Sequence, residues 1–380
     1  MASAAPSSKR KKRKRRRGGG GADATAAAGT LQTSSVRSSA VEDVCAHTKG
    51  LRVPYHNKAD GFMAALVLAL NQIKFCELHR CQPRIEWGAF PACKYAGVRF
   101  PGRTPFFDAT RGNNAFEYFF EPVCLGRAAA QLAPPSLSCD QREEVHRVLP
   151  WAVRTYYYGA STSARPAGAN DTFDEAWYAT QRAEGSRLVH SYLRLQPHVS
   201  ARLAAVQEQL FGASTLRSGP VLGVHLRGTD KGRYMQTAGS GGAVGPAEYE
   251  PYVRAFLDAH GSNASVFVAT DSPSFLAEVR ARWPPGRVRF RHDVLRHERN
   301  VAFAGGSASS RSANYRKGEE VLLDTLLLSR CDFLLHSASG VAEFAIYWSP
   351  RLHQHSVHLQ YSPSSRQVPW WMRRGSGTQM

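Results

Sequence analysis

From residue 220 onward the chain alternates short apolar runs with longer segments of helical period, and that alternation limits the folds open to it. The runs at 220–226, 265–270, 287–291, 332–337 and 356–359 have strand length. The segments at about 247–259, 274–282, 318–329 and 340–348 have helix length. Strands separated by helices predict βαβ units, a parallel sheet and right-handed crossovers, that is, a Rossmann-like unit. No G-x-G-x-x-G follows the run Val221–Leu226, and no G-x-x-x-x-G-K-[ST] occurs in the chain. Nicotinamide and P-loop chemistry therefore both lose ground.

The first half carries a weaker version of the same pattern. Gly61 to His79 is a continuous helix candidate, and Pro83 to Trp87 a short strand. A Gly/Pro-rich stretch over 88–114 interrupts this first α/β unit, Phe116 to Pro122 resumes it, and 125–168 is again irregular. Residues 187–210 read as helical and polar enough to connect two domains. The expected organisation is a disordered basic arm over 1–40, an N-terminal Rossmann-like domain over 41–210 and a C-terminal one over 211–380.

The chain has 380 residues, 43% of them hydrophobic, enough for two ordinary domains. Its formal charge of +19 overstates the basicity of the fold, because Lys9–Arg17 supplies nine of those charges and leaves +10 for the rest. That run, with the glycines and the Ala/Thr/Ser stretch behind it, cannot form a core. It suits a nuclear import signal, a nucleic-acid arm, a membrane-proximal anchor, or an arm with no dedicated partner. No run of about 18 apolar residues is present, and no secretory signal core is seen at the N-terminus. Six of the seven cysteines precede residue 140, without zinc or redox spacing. Cys76 and Cys81 suit either a disulfide or two buried thiols. Asn170 and Asn263 head glycosylation sequons, and the compartment stays open.

In open parallel sheets, ligands bind outside the carboxyl ends of the strands, and here three such ends are polar. The first is His225-Leu-Arg-Gly-Thr-Asp-Lys231, whose His225 and Arg227 share one strand face. The second is Ala269-Thr-Asp-Ser-Pro273. The third is His336-Ser-Ala-Ser-Gly340, leading straight into a helix whose free N–H groups and dipole suit a diphosphate; the plainer reading of Ser337 and Ser339 is N-capping. Asp271 suits either a base or ribose contact or a helix cap. Asp324 lies on an apolar helix face and needs an internal donor such as Arg227, or a ligand hydroxyl.

Taken together, these segments and Leu322-Leu-Asp-Thr-Leu-Leu-Leu-Ser-Arg-Cys-Asp332 resemble the α-1,6- and O-fucosyltransferase superfamily, including the nodulation fucosyltransferases. The resemblance extends upstream through Gly61-Phe-Met-Ala-Ala-Leu66, Pro83–Trp87 and Phe116–Val123, covering roughly residues 50–360. It implies a GT-B architecture of two facing Rossmann-like α/β domains with parallel sheets, the C-terminal one holding GDP-fucose and the acceptor approaching between them. It further implies that Arg227 binds the β-phosphate and stabilises the leaving diphosphate, and that His225 lies beside the nucleotide. Asp271 would meet the guanosine moiety, Asp324 would lie near the base, and Ser339, with Ser337 and Gly340, would meet the phosphates. A secretory, Golgi-type location would follow from the same resemblance. The α-1,6 branch has a second arginine where Gly228 stands, and an acid where this chain has Tyr234-Met-Gln236.

The expected reaction is an inverting glycosyl transfer from GDP-fucose to a glycan or glycoprotein acceptor. Such a transfer needs charge stabilisation on the departing GDP and a route for the acceptor's proton. The chain contains no Asp-x-Asp, so no metal and no other cofactor is expected; Arg227, the start of the 340–348 helix and Lys231 would carry the charge. Asp230 ranks first as base and Glu248 second, with structural readings for both: bonding turn amides and opening a helix. The competing readings are a catalytically inactive sugar-nucleotide or glycan-binding relative, and a nucleic-acid-associated protein acting through the basic arm.

Overall fold

The computed structural model describes residues 50–54, 61–79, 82–88, 93–95, 98–100, 106–123, 175–228, 244–296 and 311–359. The expected arm over 1–40, the excursion over 125–168, Cys81 and the candidates Asp230 and Lys231 lie outside them. The fold is α/β.

In the first half, β1 (Gly50–Pro54) pairs in parallel with β2 (Gln82–Glu86), from Gly50 opposite Gln82 to Pro54 opposite Glu86. The connecting helix α1 (Phe62–His79) makes this a βαβ unit. Leu66, Leu70 and Ile73 are fully buried, as is nearly every neighbour, so α1 is an interior helix rather than an amphipathic surface one. Its buried polar groups are satisfied locally: Asn71 Nδ2 donates to Val67 O and Gln72 Nε2 to Arg84 O on β2. Within the stretch expected to be irregular, β3 (Cys93–Tyr95) and β4 (Val98–Phe100) form an antiparallel pair.

The segment Phe116–Pro122 does not resume a regular element. It is a turn-rich run held by Asn114, whose Oδ1 accepts from Trp87 N and whose Nδ2 donates to Ile85 O, both at 2.9 Å. Its Phe119 packs edge-to-face on Phe62, which also meets Trp87 and Phe106, at ring separations of 5.0 to 5.4 Å. The helical stretch expected over 187–210 is two helices, α2 (Glu175–Tyr192) and α3 (Pro197–Ser218). Pro197 explains the break: it is suited to a first turn but not to a helix interior, and it forces Gln196 into an extended conformation at ψ 143°. A further kink falls at Gly212, with φ 65°.

The second half matches the alternation closely. In chain order it runs β5 (Val221–Leu226), α4 (Pro246–His260), β6 (Ser265–Thr270), α5 (Pro273–Arg282), β7 (Val288–Phe290), α6 (Arg311–Ser329), β8 (Phe333–His336), α7 (Gly340–Trp348) and β9 (Ser356–His358). The five strands form one parallel sheet in the order β7-β6-β5-β8-β9. Alternate side chains feed two cores. Leu222, Val224, Val266, Val268 and Leu335 join Tyr249, Val253 and Phe256 of α4 on one face. Val221, Phe267 and Leu334 join α6 and α7 on the other, in a cluster that continues through α3, α2 and α1 to the aromatics around Phe62. Cys76 and Cys331 are both buried. Among the described residues no helix is long and apolar enough to cross a membrane.

Candidate functional site

The sheet order places the ends of β6, β5 and β8 side by side, so the three polar strand ends meet along one carboxyl edge. His225 is in register with His336, and His336 with His358, giving three adjacent strands a row of buried imidazoles on the face toward α7. Burial holds the His336 ring well below its ordinary range, at about 4, so it is neutral. Its Nδ1 lies 3.2 Å from Ser337 O and, in the tautomer that bond favours, donates to it. The His358 ring meets it nearly edge-on at 4.8 Å.

Two neighbouring residues divide the work at the end of β6. Ser272 caps α5, its Oγ accepting from Phe275 N at 3.2 Å. Asp271 reaches across to the next strand end instead, where its Oδ1 accepts from Gly228 N at 3.0 Å. It thereby ties Gly228, next to the half-buried Arg227, to the end of β6. The glycine at 228 also has a steric cause: a Cβ there would fall 2.8 Å from the Ser272 Cβ and about 3.0 Å from the Phe275 ring. The space a second arginine would need is filled by the start of α5.

At the third strand end, Ser339 Oγ accepts from Val341 N at 3.2 Å and caps α7. The Ser337 hydroxyl meets the buried phenol of Tyr249, which also donates to His225 O at 3.2 Å. Tyr249 of α4 thus pins β5 to β8 beneath the edge, and nothing in the local sequence pattern marks it out from the other aromatics of that helix. Gly340 is the first residue of α7. Both serines therefore have structural partners.

Asp324 is partnered, but not by Arg227. Its Oδ1 accepts from Arg291 Nη1 at 3.0 Å, and Arg291 also grips Asp293 through Nε and Nη2 at 3.1 and 3.0 Å and donates to Glu320 O. The reason is topological: α6 follows β7 in the chain, and its carboxylate meets the arginine that ends that strand. Burial raises the Asp324 carboxyl to about 6 against the pull of Arg291. Its Oδ2 makes no hydrogen bond among the described residues, and the side chain keeps 14% of its surface exposed. Glu248 sits in the first turn of α4, exposed, where its Oε2 accepts from Gly245 N at 3.0 Å. Among the described residues no three His, Cys, Asp or Glu side chains converge as metal ligands would.

The sequence matches no protein-family profile and no curated protein. The fold does have likenesses among solved structures. It is similar to NodZ α-1,6-fucosyltransferase soaked with GDP-fucose, at 17% identity and a TM-score of 0.40 over 79% of this chain and 92% of that one. NodZ co-crystallized with GDP gives 17% and 0.42 over 79% and 91%. The fucosyltransferase NodZ from Bradyrhizobium gives 18% and 0.41 over 79% and 91%.

The edge itself offers a guanidinium at a strand end, the amides of a capped helix start and, on α6, a tethered carboxylate with one open oxygen. That set suits a ligand with a diphosphate at one end and N–H donors at the other.

Proposed function

We propose that the chain is an inverting, metal-independent glycosyltransferase of the fucosyltransferase type, taking GDP-fucose along the carboxyl edge of the five-stranded sheet. The observation that carries this reading is the convergence of the three motif-bearing strand ends on that edge, with Asp271 accepting from Gly228 N beside Arg227. Arg227, the first turn of α7 and Lys231 take the charge that develops on the departing diphosphate. His225 lies beside the nucleotide, and Asp271, which also holds Gly228 N, meets the guanosine moiety. Asp324 offers its open oxygen to the N–H groups of guanine. The acceptor, a glycan or glycoprotein, approaches from the 41–210 side, and Asp230 takes its proton. Turnover of GDP-fucose, read as GDP release with N-glycan, glycopeptide and lipo-oligosaccharide acceptors in EDTA, tests the reading. Activity that falls by about a hundredfold or more in Arg227→Ala supports it; activity that persists in that variant contradicts it.

One observation favours a second reading, that of a catalytically inactive donor-binding relative. Glu248 is engaged by Gly245 N, and Tyr234-Met-Gln236 stands where an acid is expected. This alternative predicts GDP-fucose binding without GDP release against any acceptor, and unchanged behaviour in Asp230→Asn.

A further inference from the structure

Among the described residues, the charged pair most thoroughly withdrawn from solvent lies beneath this edge and has no part in the reading above. Arg182 of α2 and Glu343 in the first turn of α7 are 6% and 0% exposed. They meet as a fork, Nε to Oε2 at 2.9 Å and Nη2 to Oε1 at 2.8 Å, while Arg182 Nη1 lies 3.0 Å from His353 Nδ1. One helical turn along both helices, a Cβ on Gly185 would fall 2.9 to 3.0 Å from the Tyr347 ring. Arg182 and Gly185 share a face of α2, as Glu343 and Tyr347 share a face of α7. The two helices are thus locked in register by a charge fork and a close steric contact side by side.

Their placement gives the lock a purpose. Glu343 N donates to Ser339 O, so the residue held by Arg182 belongs to the same turn as the cap and the first free amides of α7. An acid in that turn would oppose an anionic ligand unless neutralised, and Arg182 neutralises it. A buried pair of this kind is seldom needed for stability, since apolar residues of similar volume serve as well. We infer that Arg182 is a positioning residue: through Glu343 it sets, from the other half of the molecule, where the Ser337–Gly340 turn stands relative to Arg227. The inference rests on the donor-binding reading of that edge.

The test replaces both partners at once. In the double variant Arg182→Met/Glu343→Leu, the melting temperature is expected to stay near that of the native chain. GDP affinity by calorimetry is expected to fall about tenfold or more. Amide hydrogen exchange is expected to quicken at 340–343 while that of β5 stays as it was. Unchanged affinity and unchanged exchange in a folded double variant would overturn the inference. Should that variant fail to fold, Arg182→Lys decides. It keeps the charge but loses the fork, so GDP affinity is expected to fall with the fold retained, and full affinity would overturn the inference. If the native chain binds no GDP, the donor reading fails by itself, and the exchange measurement, which needs no ligand, still decides whether Arg182 sets the turn.

Discussion

Asp271 at a strand end and Asp324 on an apolar helix face are both candidate ligand contacts, and their surroundings give them different roles. The Asp324 carboxyl is raised by burial to about 6, above its ordinary value near 4. A raised acid favours its protonated form in the folded state, so its contribution to stability is full below about pH 4 and is lost as pH rises through 6. The loss amounts to at most about 3 kcal/mol, reduced by the exposure the side chain keeps. Denaturant titrations at intervals from pH 4 to 7 should show that slope in the native chain and a flatter one in Asp324→Asn. Affinity for GDP should move the other way, rising through pH 6 as the carboxylate becomes able to accept from guanine. At Gly228, where no room exists for a side chain, substitution by Ala is expected to cost about 1–3 kcal/mol and to weaken GDP binding by displacing the backbone next to Arg227; a thermal melt beside a GDP titration checks both. The need for a partner at Asp324 was legible, because a carboxylate on an apolar helix face must find one. The identity of the partner was not, because Arg227 and Arg291 offer the same chemistry and only the path of α6 past β7 chooses between them.

At the scale of elements, the strand and helix boundaries of the second half follow from apolar period and strand length, and most agree with the sequence expectation to within one or two residues. The exception is α6, which begins at Arg311, several residues before the apolar run that announced it. The first half was less legible for physical reasons. β1 is five residues long and partners a strand beyond α1, and β3 and β4 are three residues each, too short for a period to show. The aromatic run at 116–120 suggests a resumed element, yet it forms turns that start where Phe116 N donates to Asn114 Oδ1. Pro197 is the sequence signal for the break between α2 and α3. The caps make a clean test: Ser339→Ala and Ser272→Ala should each cost about 1 kcal/mol. Only Ser339→Ala is expected to reduce GDP affinity as well, because only that cap orders the amides facing the diphosphate. Equal effects of both variants on affinity would argue against the helix start as the phosphate contact.

Across the whole molecule, one buried cluster runs from the aromatics around Phe62 through α1, α2, α6 and α7 to the sheet, and the Arg182–Glu343 fork crosses the same boundary. Removing one partner alone, as in Arg182→Met, strands a buried charge and is expected to cost about 3–5 kcal/mol. Because the core is shared, calorimetric melting should give one cooperative transition, and two separate ones would show that the halves unfold independently. Neither the shared core nor the fork was visible beforehand, since residues 161 positions apart leave no local trace of their contact. The central claim is that the carboxyl edge of the sheet holds a guanosine diphosphate through Arg227. Isothermal titration of GDP and GDP-fucose into the full chain in EDTA, beside Arg227→Ala, tests it most directly. Saturable binding of both ligands to the native chain, lost in the folded variant, is the predicted result; no binding to a well-folded native chain, or equal binding to Arg227→Ala, would contradict it.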